Sequence, residues 1–179
     1  MTPAQNHPVP CELWTDVYAE LRRAATRLLL GERKGLSVGA TDLVGEAFVR
    51  LGEYPQPRER TALLRLAAHV IRNILVDRAR ARRRTVRSAV PLSTALTQAG
   101  GGTTDPVRTD LVALDVALTR LSRVNPDAAL VVELRFFGGL TETEAAAAIG
   151  VSRRTVTQQW QYARLWLHRE IRETVGTWN

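Results

Sequence analysis

Apolar residues recur at helical spacing through most of the chain. Trp14, Val17, Tyr18, Leu21, Ala25 and Leu28 fall on one face of a first helix, with Gly31 as its stop. Thr41 then offers a cap for a second helix, and Asp42 suits the positive first turn. That helix is expected to bury Leu43 or Val44, Ala47, Phe48 and Leu51, and to end at Gly52 and Pro55. A third, longer helix is predicted from about Thr61 to about Arg84. Leu63, Ala67, Val70 and Ile74 form its stripe, which Leu64, Ile71 and Leu75 widen. Beyond Asp77 the apolar pattern gives way to Arg78, Arg80, Arg82, Arg83, Arg84 and Arg87.

Periodicity is lost from Thr85 to Arg108. Pro91, Gly100 to Gly102, Thr103, Thr104 and Pro106 read as a flexible linker. The glycine run has no strand before it and no Lys-Ser or Lys-Thr after it, so it is not a phosphate loop. Helical signals then return. Leu111, Leu114, Leu118 and Leu121 share a face, and Asn125 followed by Pro126 starts the next helix. Leu130, Val131, Leu134 and Phe137 continue it to Gly138 and Gly139. No segment sustains strand-type alternation. The expected fold is all-α: two small helical domains, 10–84 and 109–175, joined by a linker over 85–108.

Gly139 to Arg172 carries the most chemistry. Thr141 and Glu144 form a capping box, with Leu140 placed to staple against Ala145. A short alanine-rich helix ends near Ile149, Gly150 supplies a sharp turn, Val151 is expected to plug it, and Ser152 caps the next helix. Two helices joined this way form a helix-turn-helix. On the second, Val156, Trp160, Ala163 and Leu167 have inward spacing, while Arg153, Arg154, Thr157, Gln158 and Gln161 lie opposite. These side-chain types read base edges and hold phosphates in a major groove. An ordinary amphipathic pair with a solvated polar face is the plainer alternative; the cap, turn and cap together with the positive first turn favour DNA. Trp160 belongs to the core on this pattern, and Tyr162 and Trp166 fit either side.

Charge sharpens the picture. The chain has 179 residues, 25 Lys and Arg against 18 Asp and Glu, and a formal net charge of +7. A basic balance favours polyanionic partners. Six arginines close together where a helix meets a linker suit a phosphate backbone, although such runs are often only solvated. Cys11 is the sole cysteine, and His7, His69 and His168 are scattered, so neither a disulfide nor a zinc cluster is expected. No apolar run spans a bilayer, and Met1 to Pro10 lacks a signal-peptide pattern; both predict a cytoplasmic protein.

Four segments, in order, resemble bacterial sigma factors of the extracytoplasmic-function subgroup of the sigma-70 type. Residues 40–51, from Ala40 to Leu51, look like the polymerase-clamp-binding helix of region two, and 72–80, from Arg72 to Arg80, like the helix approaching the minus-ten promoter element. Residues 131–141 and 151–156 look like region four. The resemblance implies binding of core RNA polymerase through Asp42, Leu43, Glu46, Val49 and Arg50. It implies reading of the minus-thirty-five element by Arg153, Arg154, Thr155, Thr157, Gln158 and Gln161. The minus-ten element, captured as it melts, falls to Tyr54, Asn73, Arg78, Arg80, Arg82, Arg83 and Arg84. Partners are then core polymerase and promoter DNA, double-stranded and melted, with room for an anti-sigma factor, no membrane, no cofactor and no enzymatic activity.

Some residues bear on this independently. Asp42 and Glu46 lie at i, i+4 on one face, where they suit basic polymerase residues or simply water. The loop Glu53 to Arg60 is a candidate wall for a base pocket, Tyr54 its only aromatic. Gly45 stands where the family usually has a longer polar residue, and Leu63, Leu64 and Leu66 where relatives often carry aromatics. A stand-alone helix-turn-helix regulator would need a dimerisation helix, and none is evident. A helical enzyme using Asp77, Glu133 and His69 lacks nucleophile–base or metal spacing, and an ion pair with nearby arginines is the simplest role for Asp77. A basic protein–protein adaptor would leave Arg153, Arg154 and Gln158 on one groove-sized surface without a use.

Overall fold

Helix α1 (Cys11–Leu30) opens the structure, followed by α2 (Ala40–Leu51) and the long α3 (Arg60–Thr85). Then come α4 (Leu111–Val124), α5 (Pro126–Val132), α6 (Glu142–Ile149) and α7 (Arg153–Gly176). The structure is a computed structural model and describes residues 11–30, 39–55, 57, 59–85 and 111–176, except the side chains at 11, 12, 30, 82–85 and 174–176. The predicted linker, 85–108, lies outside this set apart from the end of α3, as do Gly31 and Arg87. The fold is all-α, with no strand among the described residues.

The predicted stripes are the buried faces. Val17, Leu21 and Ala25 of α1 meet Leu43, Val44, Ala47 and Leu51 of α2 and Leu63, Leu64, Ala67, Val70, Ile71, Ile74 and Leu75 of α3. Burying each large aliphatic chain contributes about 1.5–3 kcal/mol. In the second half, Leu114, Leu118 and Leu121 of α4 pack with α5 and with Val156, Trp160, Ala163, Leu167 and Ile171 of α7.

Three local expectations are corrected. The second helix is capped by Gly39, not Thr41: the Gly39 carbonyl accepts from Leu43 N at 3.1 Å, and Asp42 Oδ2 accepts from Gly39 N at 2.8 Å. The carboxylate thus satisfies the N–H of the capping residue itself, the half of a capping box that a glycine cap leaves possible. Phe48 is 37% exposed rather than buried, because its ring leans on Trp14 of α1 with centroids 4.8 Å apart, at the rim of the α1–α2 contact. Val151 is also exposed, since the turn beneath it is closed by backbone bonds alone.

After Val132 the helix widens into a π-turn over Glu133–Phe137, closed by Gly138 N donating to Glu133 O at 3.0 Å. The extra residue per turn carries Leu134, Arg135, Phe136 and Phe137 inward together. This segment and α4 both pack on α3, so one apolar cluster runs through both halves. Gly139 (φ +74°) passes so close to α1 that a Cβ there would lie 2.7 Å from Ala24 Cβ and 2.9 Å from Glu20 O.

Candidate nucleic-acid interface

The turn between α6 and α7 is built by three local devices. Thr141 Oγ1 accepts from Glu144 N at 3.2 Å, and Glu144 Oε2 accepts from Thr141 N at 2.8 Å, closing the capping box at the start of α6. Those bonds, first from the Thr141 backbone, hold the Glu144 carboxyl below its usual range despite some burial. Gly150 takes the left-handed conformation (φ 77°, ψ 32°), open to glycine at no steric cost, and both its N–H and that of Val151 return to Ala146 O. Ser152 Oγ then accepts from Thr155 N at 3.1 Å and starts α7.

This geometry divides α7 cleanly. Val156, Trp160, Ala163 and Leu167 are buried, while Arg153, Arg154, Gln158 and Gln161 are exposed. Thr155 is half-buried, its hydroxyl 2.9 Å from Ser152 Oγ. Thr157 is half-buried as well. Its hydroxyl and the Arg153 Nε donate to Glu142 Oε2 at 3.1 and 3.3 Å, so the first residue of α6 positions two groups of the outward face. Tyr162 is 41% exposed and Trp166 half-buried against the core.

Beneath the helix lies a residue that periodicity did not flag. Arg135 is 5% exposed, its guanidinium 4.3 Å from the Trp160 ring centroid and 3.5 Å from Glu142 Oε1. Burial depresses its pKa, and nearby Arg27 and Arg164 add to the effect against Glu142. The π-turn brings it inward; a regular helix would turn it elsewhere.

A second candidate surface lies where α2 meets α3. A cleft of about 330 Å³ is lined by Tyr54, Asn73, Arg50, Asp77 and Arg80, and by Asp115 from α4. Glu46 is bound by Arg78 and, at 2.9 Å, by Arg50, which also reaches Asp77 at 3.2 Å. Burial works against the Arg50 charge, but the Asp77 hydrogen bond and the two carboxylates outweigh it and raise the pKa. On α2, Val49 is 70% exposed and Asp42 is exposed at the helix start, whereas Leu43 is fully buried and supports this face from below. Helix α3 runs on through Arg82, Arg83 and Arg84, whose side chains lie outside the described residues.

An exposed polar face on the last helix, a polar cleft on an arginine-rich helix and an all-α body coincide with a known family pattern: the model of the ECF sigma factors matches residues 9–173. The chain belongs to the ECF sigma factor family. It is therefore an RNA polymerase sigma factor, from a family of transcription-initiation factors rather than catalysts, with RNA polymerase and promoter DNA as partners. A comparison with curated proteins gives no match. No described helix of the sigma factor is long and apolar enough to cross a membrane, and no group of three or more His, Cys, Asp or Glu among the described residues is placed to hold a metal.

The sigma factor also ties its halves together through pairings that helical spacing did not reveal. Arg72 of α3 donates to Asp115 Oδ1 at 3.0 Å, to Thr119 Oγ1 at 3.1 Å and to Glu133 Oε1 at 3.3 Å. Arg80 reaches Asp115 Oδ2 at 3.2 Å, and Arg65 donates to Ala148 O at 2.8 Å. These partners are 35 to 83 positions apart, so helical periodicity carried no trace of them.

Proposed function

We propose that this sigma factor directs promoter-specific initiation by reading the minus-thirty-five element in duplex DNA through α7 and capturing the minus-ten element, as it melts, through the α2–α3 cleft. The observation that carries the reading is the outward face of α7, with Arg154, Gln158 and Gln161 exposed and Arg153 and Thr157 fixed by Glu142. Guanidinium and amide groups presented from the start of a helix match base edges and phosphates in a major groove. In the cleft, Tyr54 offers a stacking ring, Asn73 a base-edge amide and Arg80 a cation, a combination suited to unpaired bases. Asp42, Glu46, Val49 and Arg50 of α2 serve the core polymerase. Asp115 lines the same cleft and holds Arg72 and Arg80, so full engagement of melted DNA calls for α4 to move away. An anti-sigma factor would have such a packed arrangement to stabilise.

The test is run-off transcription from a random promoter library, using core polymerase stripped of its own sigma. Transcripts that depend on this protein and share a two-part motif are expected. Arg154→Ala should cost about 1–3 kcal/mol in upstream-element recognition and leave polymerase affinity intact. Asp42→Lys with Glu46→Lys should do the reverse. Tight binding of the free protein to a palindrome, with no dependent transcripts, would replace this reading with a stand-alone regulator.

A further inference from the structure

A second cleft, of about 380 Å³, opens between α1 and the α6–α7 unit. Its wall holds three guanidinium groups, Arg27 of α1, Arg135 of the π-turn and Arg153 of α7, together with Thr141, Glu142 and Thr143 at the start of α6. One carboxylate faces three cations, and it is shared: Glu142 serves Arg135 at 3.5 Å, Arg153 at 3.3 Å and Thr157 at 3.1 Å. Arg27 Nη2 is buried and has no hydrogen-bond partner among the described residues. A buried cationic donor atom without a partner is costly, and the half-buried Arg27 repels the buried Arg135 as well. Burial first, and then the charge of Arg23, lowers the Arg27 pKa; burial first lowers that of Arg135, with the charge of Arg27 contributing. Both shifts say that the cavity favours neutralisation, which arginine achieves by binding an anion rather than by losing a proton.

We propose that this cleft is a binding site for a small, freely diffusing phosphate anion of the pyrophosphate class, held by Arg27 and Arg135 from within and by Arg153 at its mouth. Guanidinium forks match phosphate oxygens in pairs, and the positive end of α6, with the Thr143 hydroxyl, opens on the same space. Depth selects a free anion over a DNA backbone. The Arg153 side chain is 71% exposed and within reach of a duplex, but that of Arg135 is only 6% exposed and Arg27 Nη2 is buried. The volume lies at the small end for ligand sites, enough for two linked phosphates. Because Arg27 comes from α1 and the other two arginines from the second half, a bound anion favours the packed arrangement over any in which the halves separate. The site stands independently of how the promoter is read.

The test is calorimetric titration of the full-length protein with pyrophosphate at fixed ionic strength, together with the indole N–H resonance of Trp160, whose ring lies under Arg135. Saturable one-site binding that moves this resonance is expected, weakened by about tenfold in Arg27→Gln. Arg123→Gln, on an exposed stretch of α4, should bind as the wild type does. In phosphate-free buffer Arg27→Gln should melt at or above the wild-type temperature, since it removes a half-buried charge whose buried Nη2 lacks a partner. Melting below wild type would mean that the guanidinium is already satisfied, and the proposal fails. It fails equally if sodium chloride of matched ionic strength reproduces the heat, if Arg27→Gln binds pyrophosphate unchanged, or if only duplex DNA moves the Trp160 resonance.

Discussion

Gly45 sits in the middle of α2, and a Cβ built there meets nothing within 4 Å. A helix-interior glycine in open space weakens its helix, mainly through the freedom it gives the unfolded chain. Gly45→Ala should therefore stabilise the protein by about 0.5–1 kcal/mol, read as a higher midpoint in urea or thermal unfolding. A fall would mean that α2 is strained or packed in a way its surroundings do not suggest. Gly139 is the opposite case. Its φ of +74° is hostile to side chains, and a Cβ would press on Ala24 Cβ and on the backbone oxygen of Glu20, which cannot swing aside. Gly139→Ala should cost about 2 kcal/mol or more through strain and loss of the α1 contact. Equilibrium unfolding checks the size; a cost near zero would show that the turn can shift away from α1.

Elements built from local signals are legible in the amino-acid pattern alone. The stripe on α3, the Asn125 cap followed by Pro126, the Thr141–Glu144 box and the Gly150 turn are each set by residues within a few positions of one another, and each is found where the sequence puts it. The outward face of α7 is legible for the same reason. The pattern misleads where a distant partner decides. Phe48 has the spacing of a buried residue, but Trp14 gives it a place at a rim. Arg135 is a core residue because the chain adds one residue to a turn, and no periodicity announces that. Asp115 and Arg72 meet although 43 positions separate them. Of the local devices, Ser152 is the most informative to remove. Ser152→Ala takes away the acceptor for Thr155 N and should cost about 1 kcal/mol. That loss frays the first turn of α7, which carries Arg153 and Arg154, so affinity for an upstream-element duplex should fall along with the melting temperature. Unchanged affinity beside lowered stability would place the contacts further along α7.

The whole molecule is held by charge as well as by its shared apolar core. His69 Nδ1 lies 3.2 Å from Glu133 Oε1, joining α3 to the π-turn, and Arg72 binds the same carboxylate. The hydrogen bond to Glu133 raises the imidazole pKa above its ordinary 6.5, against partial burial. Burial pushes Glu133 the other way, but His69 and Arg72 prevail and leave its carboxyl below the ordinary 4.5. A raised imidazole pKa means that the folded state holds the proton more tightly. That contribution is complete below 6.5 and is lost as pH rises through the folded value. The carboxylate's contribution is complete above 4.5 and is lost as pH falls through its folded value. Both are therefore present in full only between 4.5 and 6.5. His69 is nearly half exposed, so solvent screens the pair and the effect is small. His69→Gln should lower the melting temperature by roughly 1–2 °C near pH 5.5 and leave it unchanged at about pH 8.5. Thermal melts of both proteins across that range make the check, with Glu133→Gln as the second arm. Glu133 also serves Arg72, so its loss should persist at high pH where that of His69 vanishes. If the two variants lose stability in parallel at every pH, the imidazole proton plays no part in holding the halves together. A difference confined to the acid side means that the protonated imidazole helps hold α3 against the π-turn and that this contribution fades as pH rises.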